Sequence, residues 1–307
     1  MFNSIFFSQL NNILIIFGLI QLEKLLINLL FFSSIKLLLW LVNSIEVKKI
    51  LLNYFIGTAG SGKSTLTGEL KSYIINHDPE ITVITLNLDP GVRILAYTPD
   101  IDIRDYIILE EVMEQYGLGP NGAMILASDL MVNYLDDLKD EIDQFNPDWI
   151  LVDTAGQLEL FAFRETGPLI ASALGFGSIQ RAVSFLFDSN LVLRPNGFIS
   201  TLLLAASVQF RFRKIPQINI LSKVDLLDED QIDMIINWSQ DFKALEEQTS
   251  ERESGLIREL SMNLSEVFVQ MGSTAELIPC TIKEEQGLDL IFGYLQRIFD
   301  SDKSKFY

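Results

Sequence analysis

The sequence predicts an α/β fold: a mostly parallel sheet with helices on both faces, and a helical insertion before the last strand. Three observations carry this prediction. Short apolar, β-branched runs alternate with stretches of helical period, the pattern of parallel strands joined by crossover helices. The first run ends in a glycine-rich turn that opens directly into a helix. A long charged stretch of helical pattern, 228–271, separates the last two runs.

The elements follow in order. Residues 50–56 are an apolar run closed by Gly57 and read as a buried parallel strand. Helical spacing over 64–76 follows, and then 81–88 (ITVITLNL), whose β-branched residues predict a second strand. Residues 105–116 read as a helix, 117–122 (GLGPNG) as a turn, and 123–145 as one longer helix. Further strands are expected at 149–152, 182–187, 218–221 and 277–279, with helical patterns between them. The stretch 228–271, with Glu246, Glu247, Glu251 and Glu253, reads as an inserted helical pair. No internal repeat is evident.

Composition narrows the function. The chain has 307 residues, 49% of them hydrophobic, and a net charge of −18. Residues 1–50 hold four lysines and two glutamates, so the other 257 residues carry −20. A body this acidic is poorly suited to direct, sequence-independent nucleic-acid binding, which draws on Lys and Arg against phosphate. His77 is the only histidine, so a Ser-His-Asp triad would have to use it, and no multi-histidine metal site can form within one chain. Cys280 is the only cysteine, so no intrachain disulfide is possible, and a cytoplasmic location is expected.

The organisation expected is an apolar extension over 1–49, a nucleotide-binding domain over 50–300 and a tail over 301–307. Residues 1–22 carry no charge and are long enough to cross a bilayer as a helix. Three readings of the extension stand: a membrane anchor, an amphipathic helix packed on the body, or translation from a start placed too far upstream in A/T-rich DNA. The third is preferred, because the domain begins immediately after residue 50 without a linker. A membrane partner is expected only if the extension is native. The segment has no basic n-region and no Ala-x-Ala site, which argues against a secretory signal.

The motif Gly57-Thr58-Ala59-Gly60-Ser61-Gly62-Lys63-Ser64 fits G-x-x-x-x-G-K-[ST], with a strand before it and a helix after it. Its glycines, with Ser61 and Thr65, let backbone N–H groups turn inward around phosphate oxygens, aided by the positive helix N-terminus. Lys63 is expected to reach the β- and γ-phosphates, and Ser64 to ligate Mg²⁺. Asp153-Thr154-Ala155-Gly156-Gln157 follows the strand at 149–152. Asp153 is placed to hold Mg²⁺ through a water, and Gly156 to offer its N–H to the γ-phosphate. Residues 219–225 read N-I-L-S-K-V-D, similar to the N-K-x-D loop that reads guanine. Asp225 would accept two hydrogen bonds from the base and Lys223 would lie over it. Ser222 replaces the asparagine, so the bracing amide is lost. Residues 280–283 (CTIK) fall where an S-A-K loop meets the base.

These residues together resemble the GPN-loop GTPases, archaeal and eukaryotic P-loop NTPases of the SIMIBI class. The naming motif is Gly119-Pro120-Asn121. GTAGSGKST, NLDP at 87–90, DIRD at 102–105, DTAGQLE at 153–159 and SKVD at 222–225 occur in the family's order, and the likeness covers about residues 50–300. The resemblance implies GTP and GDP as ligands, Mg²⁺ as cofactor, and a homodimer or heterodimer in which Asn121 of one chain meets the phosphate bound to the other. It also implies a protein client, related in eukaryotes to RNA polymerase assembly. Thr58 stands where related dimeric ATPases carry a lysine, so another group must stabilise the developing charge. Asp89, Gln157 and Glu159 are the candidates for positioning the water, with Asp89 and Gln157 ranked first. Arg104 is expected to pair with Asp102 or Asp105 rather than act as an arginine finger. Two rival functions stand beside this one: a P-loop ATPase or nucleotide kinase with no use for Asp225, and a non-hydrolytic GTP-dependent assembly factor that docks a client on the acidic helices.

Overall fold

A computed structural model of the chain describes residues 48–301, apart from 176–178, 214, 253, 272–275 and 284. The expectations for residues 1–47 and for 302–307 lie outside the described residues. Among the described residues no helix is long and apolar enough to cross a membrane.

The strands are β1 (Ile50–Gly57), β2 (Val83–Leu88), β3 (Ile101–Asp102), β4 (Trp149–Thr154), β5 (Ile179–Asp188), β6 (Gln217–Ser222) and β7 (Leu277–Cys280). They form one sheet in the order β3-β2-β4-β1-β5-β6-β7, and every pairing is parallel. β1 lies between β4 and β5, so the first chain segment to enter the sheet occupies its middle. Its residues from Leu51 to Gly57 are all buried, as a central strand covered on both faces requires.

The helices are α1 (Lys63–His77), α2 (Leu109–Tyr116), α3 (Pro120–Leu130), α4 (Leu135–Phe145), α5 (Thr166–Ala173), α6 (Ser189–Val192), α7 (Pro195–Arg211), α8 (Glu229–Gln240), α9 (Phe242–Arg252), α10 (Gly255–Met271) and α11 (Leu288–Asp300). One core gathers Leu51, Phe55 and Leu151 of the sheet under Leu66, Leu70 and Ile74 of α1 and Ile291 and Leu295 of α11. The larger core lies on the other face. It joins Leu52, Tyr54 and Ile56 to the apolar faces of the remaining helices, from Ala127 on α3 to Phe198 on α7 and Trp238 on α8. Leu70 is fully buried between α1 and the sheet. Leu70→Ala should cost about 3 kcal/mol in denaturant unfolding, the transfer term plus a cavity. A loss under about 1 kcal/mol would contradict this packing.

Several elements depart from the sequence reading. β3 has two residues, too few for periodicity to reveal. The single helix expected over 123–145 is two helices, α3 and α4, joined by a 3₁₀ turn at Met131–Tyr134. Val132, Asn133 and Tyr134 are poor helix formers, and they fall in that turn. The turn expected over 117–122 is shorter. Gly117 caps α2 in the left-handed conformation (φ 63°), and Pro120 already stands at the start of α3. Proline suits that position because its fixed φ is helical and its missing N–H would have no partner there. The stretch 228–271 holds three helices rather than two. α8 opens with a capping box between Asp228 and Gln231, α9 follows Asp241, and Gly255 (φ 61°) opens α10.

Candidate functional site

Because the strands are parallel, their carboxyl ends share one edge, where an open α/β sheet binds its ligands. Gly57, Leu88, Thr154, Asp188, Ser222 and Cys280 end their strands there. Register places Asp153 beside both Phe55 of β1 and Asn87 of β2.

The glycine-rich loop turns between β1 and α1. Gly60 (φ 76°) and Gly62 (φ 95°) take left-handed conformations that a side chain would strain. Ser61 N–H donates to the Thr58 carbonyl at 3.1 Å. No side chain caps α1, so its first N–H groups face the loop. Lys63 is 5% exposed, and its ammonium donates to the carbonyls of Gly57 and Thr58 at 3.0 Å each. Burial holds its pKa below the usual lysine value, with Lys223 adding to the effect; Asp153 and Asp89 oppose it. A charged ammonium held beside a glycine-turned loop at a helix N-terminus is what a polyphosphate needs.

Asp153 is fully buried, and its Oδ1 has no hydrogen-bond partner. Its Oδ2 lies 3.4 Å from the Tyr97 hydroxyl. Burial pushes the carboxyl up to about 6, partly offset by the Ser64 hydroxyl and the Lys63 charge. An orphaned buried carboxylate oxygen beside a serine hydroxyl is a hard, all-oxygen donor set that fits Mg²⁺. Among the described residues no group of three or more His, Cys, Asp or Glu could hold a metal.

The three candidates for positioning water stand differently. The Asp89 carboxylate accepts from Gly156 N–H at 3.0 Å and from Gly91 N–H at 3.0 Å. It thus takes the donor expected to serve the γ-phosphate. Gln157 and Glu159 are exposed. Arg104 forms a two-nitrogen fork on Asp102, with Nε and Nη2 at 3.0 and 2.5 Å from Oδ2, and also donates to the Val92 carbonyl.

α3 touches this edge through the loop after β2. A Cβ placed on Gly91 would fall 2.3 Å from Met124 Sδ. Arg164, just after the Asp153 segment, grips Asp129 of α3 at 3.0 and 2.5 Å. Gly119 precedes α3, and Asn121 is exposed in its first turn.

Beside the phosphate loop lies a cavity of about 230 Å³, walled by Gly62, Thr65, Lys223, Asp225, Cys280 and Thr281 among others. The Asp225 carboxylate accepts from Thr281 Oγ1 at 3.0 Å and pairs with Lys283 at 2.5 Å. Lys283 first, and Thr281 with it, hold the Asp225 carboxyl below the usual carboxylate range. Ser222 is buried, and its hydroxyl lies 2.8 Å from the Ser61 carbonyl and 3.1 Å from that of Phe187. The bracing expected to vanish with the asparagine is therefore supplied by a hydroxyl. The Lys223 ammonium bonds the Gly60 carbonyl and Asp188.

The phosphate loop, the buried Asp153 and the Asp225 pocket thus share one edge, with α3 anchored beside them. The chain belongs to the GPN-loop GTPase family. The profile of the family described as "Conserved hypothetical ATP binding protein" matches residues 55–301. A GPN-loop GTPase of Pyrococcus abyssi is 35% identical over 58% of this chain and 68% of its own. GPN-loop GTPase 1 of Schizosaccharomyces pombe is 30% identical over 76% of this chain and 65% of its own. That of Dictyostelium discoideum is 28% identical over 77% of this chain. The chain spans 58% and 65% of the length of these two eukaryotic relatives. The structure of a Pyrococcus abyssi GTPase in its apo form superposes with a TM-score of 0.71 at 26% identity. That superposition covers 82% of this chain and 98% of the other. That GTPase thus shares the fold of this chain.

Sequence reasoning did not single out Tyr97, Asp188 or Ser189. Asp188 and Ser189 carried a usable signal: FLFDS ends an apolar run with a carboxylate at the sheet's ligand-binding edge, as LVDT does at Asp153.

Proposed function

We propose that the chain binds GTP and hydrolyses its γ-phosphate as a Mg²⁺-dependent dimeric switch. The observation that carries the guanine assignment is the Asp225 carboxylate in the cavity beside the phosphate loop. Guanine offers an adjacent N1–H and 2-amino group to two carboxylate oxygens, and adenine has no such pair.

In the proposed reaction a water oxygen attacks the γ-phosphorus as the bond to the β–γ bridging oxygen breaks, giving GDP and inorganic phosphate. Mg²⁺, held by Ser64 and Asp153, would neutralise charge on the β- and γ-oxygens. Lys63 places a positive charge at the same oxygens. The γ-phosphate takes the Gly156 N–H now bonded to Asp89. The released carboxylate then lies next to the phosphate, where it orients the water and accepts its proton. This supports Asp89 ahead of the exposed Gln157 and Glu159 as the group that positions water.

Asn121 of a second copy donates to the developing charge in trans. Its exposure supports an outward role, and Ile125 (41% exposed) and Ile94 (89%) offer apolar surface on the same helix and on the loop after β2. By the family resemblance we assign the switch a protein client, and the single cysteine supports a cytoplasmic setting.

The description of the matching family names ATP, so adenine is the competing reading. Competition of GTP and ATP for the purified chain decides between them, and equal competition would end the guanine assignment. Asp225→Asn should weaken GTP by roughly 1–3 kcal/mol, the worth of a good bidentate contact. The same variant should gain affinity for xanthosine triphosphate, whose 2-carbonyl matches the new amide donor.

A further inference from the structure

The guanine loop has an unusual backbone. Lys223 sits at φ 58°, a left-handed conformation that costs a residue with a Cβ on the order of 1 kcal/mol. That turn reverses the chain between Ser222, at the end of β6, and Asp225, and so sets where the Asp225 carboxylate points. Something must hold it.

Three consecutive residues, two that end β5 and one that opens α6, do so. The Phe187 carbonyl lies 3.1 Å from the Ser222 hydroxyl. Asp188, 7% exposed, pairs through Oδ2 with the Lys223 ammonium at 2.7 Å, and its Oδ1 accepts the Asn190 N–H at 2.9 Å. Ser189, fully buried, donates its hydroxyl to the Lys223 carbonyl at 3.0 Å. The Lys223 residue is thus gripped at both ends, its charge by Asp188 and its backbone by Ser189. Parallel pairing of Asp188 with Ser222 sets Asp188 in register, and Ser189 follows it in the chain. The same ammonium bonds the Gly60 carbonyl, so the grip extends to the phosphate loop.

We propose that Asp188 and Ser189 are specificity-determining positioning residues. By fixing Lys223 over the base cavity and in its left-handed turn, they aim Asp225 at guanine. Neither lines the base cavity. The ion pair with Asp188 also selects one rotamer of a long, flexible side chain, so the wall over the base is in place before the nucleotide arrives. This inference rests on the guanine reading above.

The test uses the full chain and fluorescent analogues of GDP and ADP. The unaltered chain must first prefer the GDP analogue; if it does not, the guanine reading fails and Asp188 has not been judged. Given that preference, Asp188→Asn keeps the shape and the contact to Asn190 while removing the charge. It should weaken the GDP analogue about tenfold. Affinity for the ADP analogue should hold, so discrimination narrows by the same factor. The KM for GTP should rise with kcat within about twofold, because the lost interaction is equal in ground and transition states. Ser189→Ala should act in the same direction and stands in if Asp188→Asn lowers folded yield. A double-mutant cycle separates positioning from general support. With Lys223→Ala in the background, Asp188→Asn should have no further effect. Additive losses in that cycle, or unchanged GDP affinity in both folded variants, or a fall in kcat with KM intact, would each overturn the proposal.

Discussion

Lys63→Ala should reduce GTP turnover about a thousandfold, near 4 kcal/mol, the upper end for one preorganised charge at a transition state. The reason lies in how the side chain is held. Its ammonium is buried on the carbonyls of Gly57 and Thr58, oriented before any ligand arrives. Burial lowers its pKa, and the Asp153 and Asp89 carboxylates counter that loss. A positive charge in a partly dry loop acts on phosphate at a lower effective dielectric than it would in water. The alanine variant loses that charge and leaves two carbonyls facing the bound phosphates. Affinity for GTP should fall as well, since the β-phosphate contact exists in the ground state. The fold should survive, because the loop lies at the sheet edge outside both cores. Single-turnover hydrolysis with saturating GTP, alongside thermal unfolding, checks this. A loss under tenfold in a folded variant would show that Lys63 braces the loop and contributes nothing to the chemistry.

The parts of the fold legible in the sequence were those with a buried period. β1, β2 and β4 are runs of branched apolar residues, and both faces of the sheet are covered, so the runs are continuous. Parallel order then followed from the helices between them. The 3₁₀ turn at Met131–Tyr134 was not legible, because Ala127, Met131 and Leu135 continue one apolar stripe across it. Only the weak helix preference of Val132 and Asn133 marks the place, and tertiary packing decides whether such a site breaks. β3 was hidden for another reason. Its two residues pair with Leu86 and Asn87, a contact that no local pattern encodes.

The site divides in the same way. Motif residues on strand ends could be placed from sequence because parallel topology sends every such end to one edge. What sequence could not give was their state of pairing. Asp89 lies on Gly156, Lys283 on Asp225, and Asp188 on Lys223, each pair separated by tens of residues. Ser222 shows the limit most directly. Its departure from asparagine read as a lost brace. Yet β5 and β6 bring the Phe187 carbonyl, and the loop brings the Ser61 carbonyl, within reach of a hydroxyl. A shorter side chain suffices where the backbone comes closer.

Asn121→Ala should lower kcat about a hundredfold, near 3 kcal/mol, while leaving GTP affinity nearly unchanged. Such a split marks a donor whose contact strengthens only towards the transition state. Asn121 is exposed in the first turn of α3, and that helix is tied to the nucleotide edge through Met124 against Gly91 and through Asp129 to Arg164. The trans role makes a sharper demand. Mix Asn121→Ala chains with Lys63→Ala chains, each of which turns over only slowly on its own. In a mixed dimer, one site has Lys63 from the first chain and receives an intact Asn121 from the second. That site should hydrolyse GTP at the full rate, and the mixture should exceed the summed residual activity of both parents. Subunit exchange has to be demonstrated first, for example by mass-tagged chains in the same buffer. Exchanged heterodimers without activity, or full turnover by a monomer, would remove Asn121 from the reaction. The segment from Gly119 to Gly122 would then serve only to start a helix, for which a proline at its first position is sufficient.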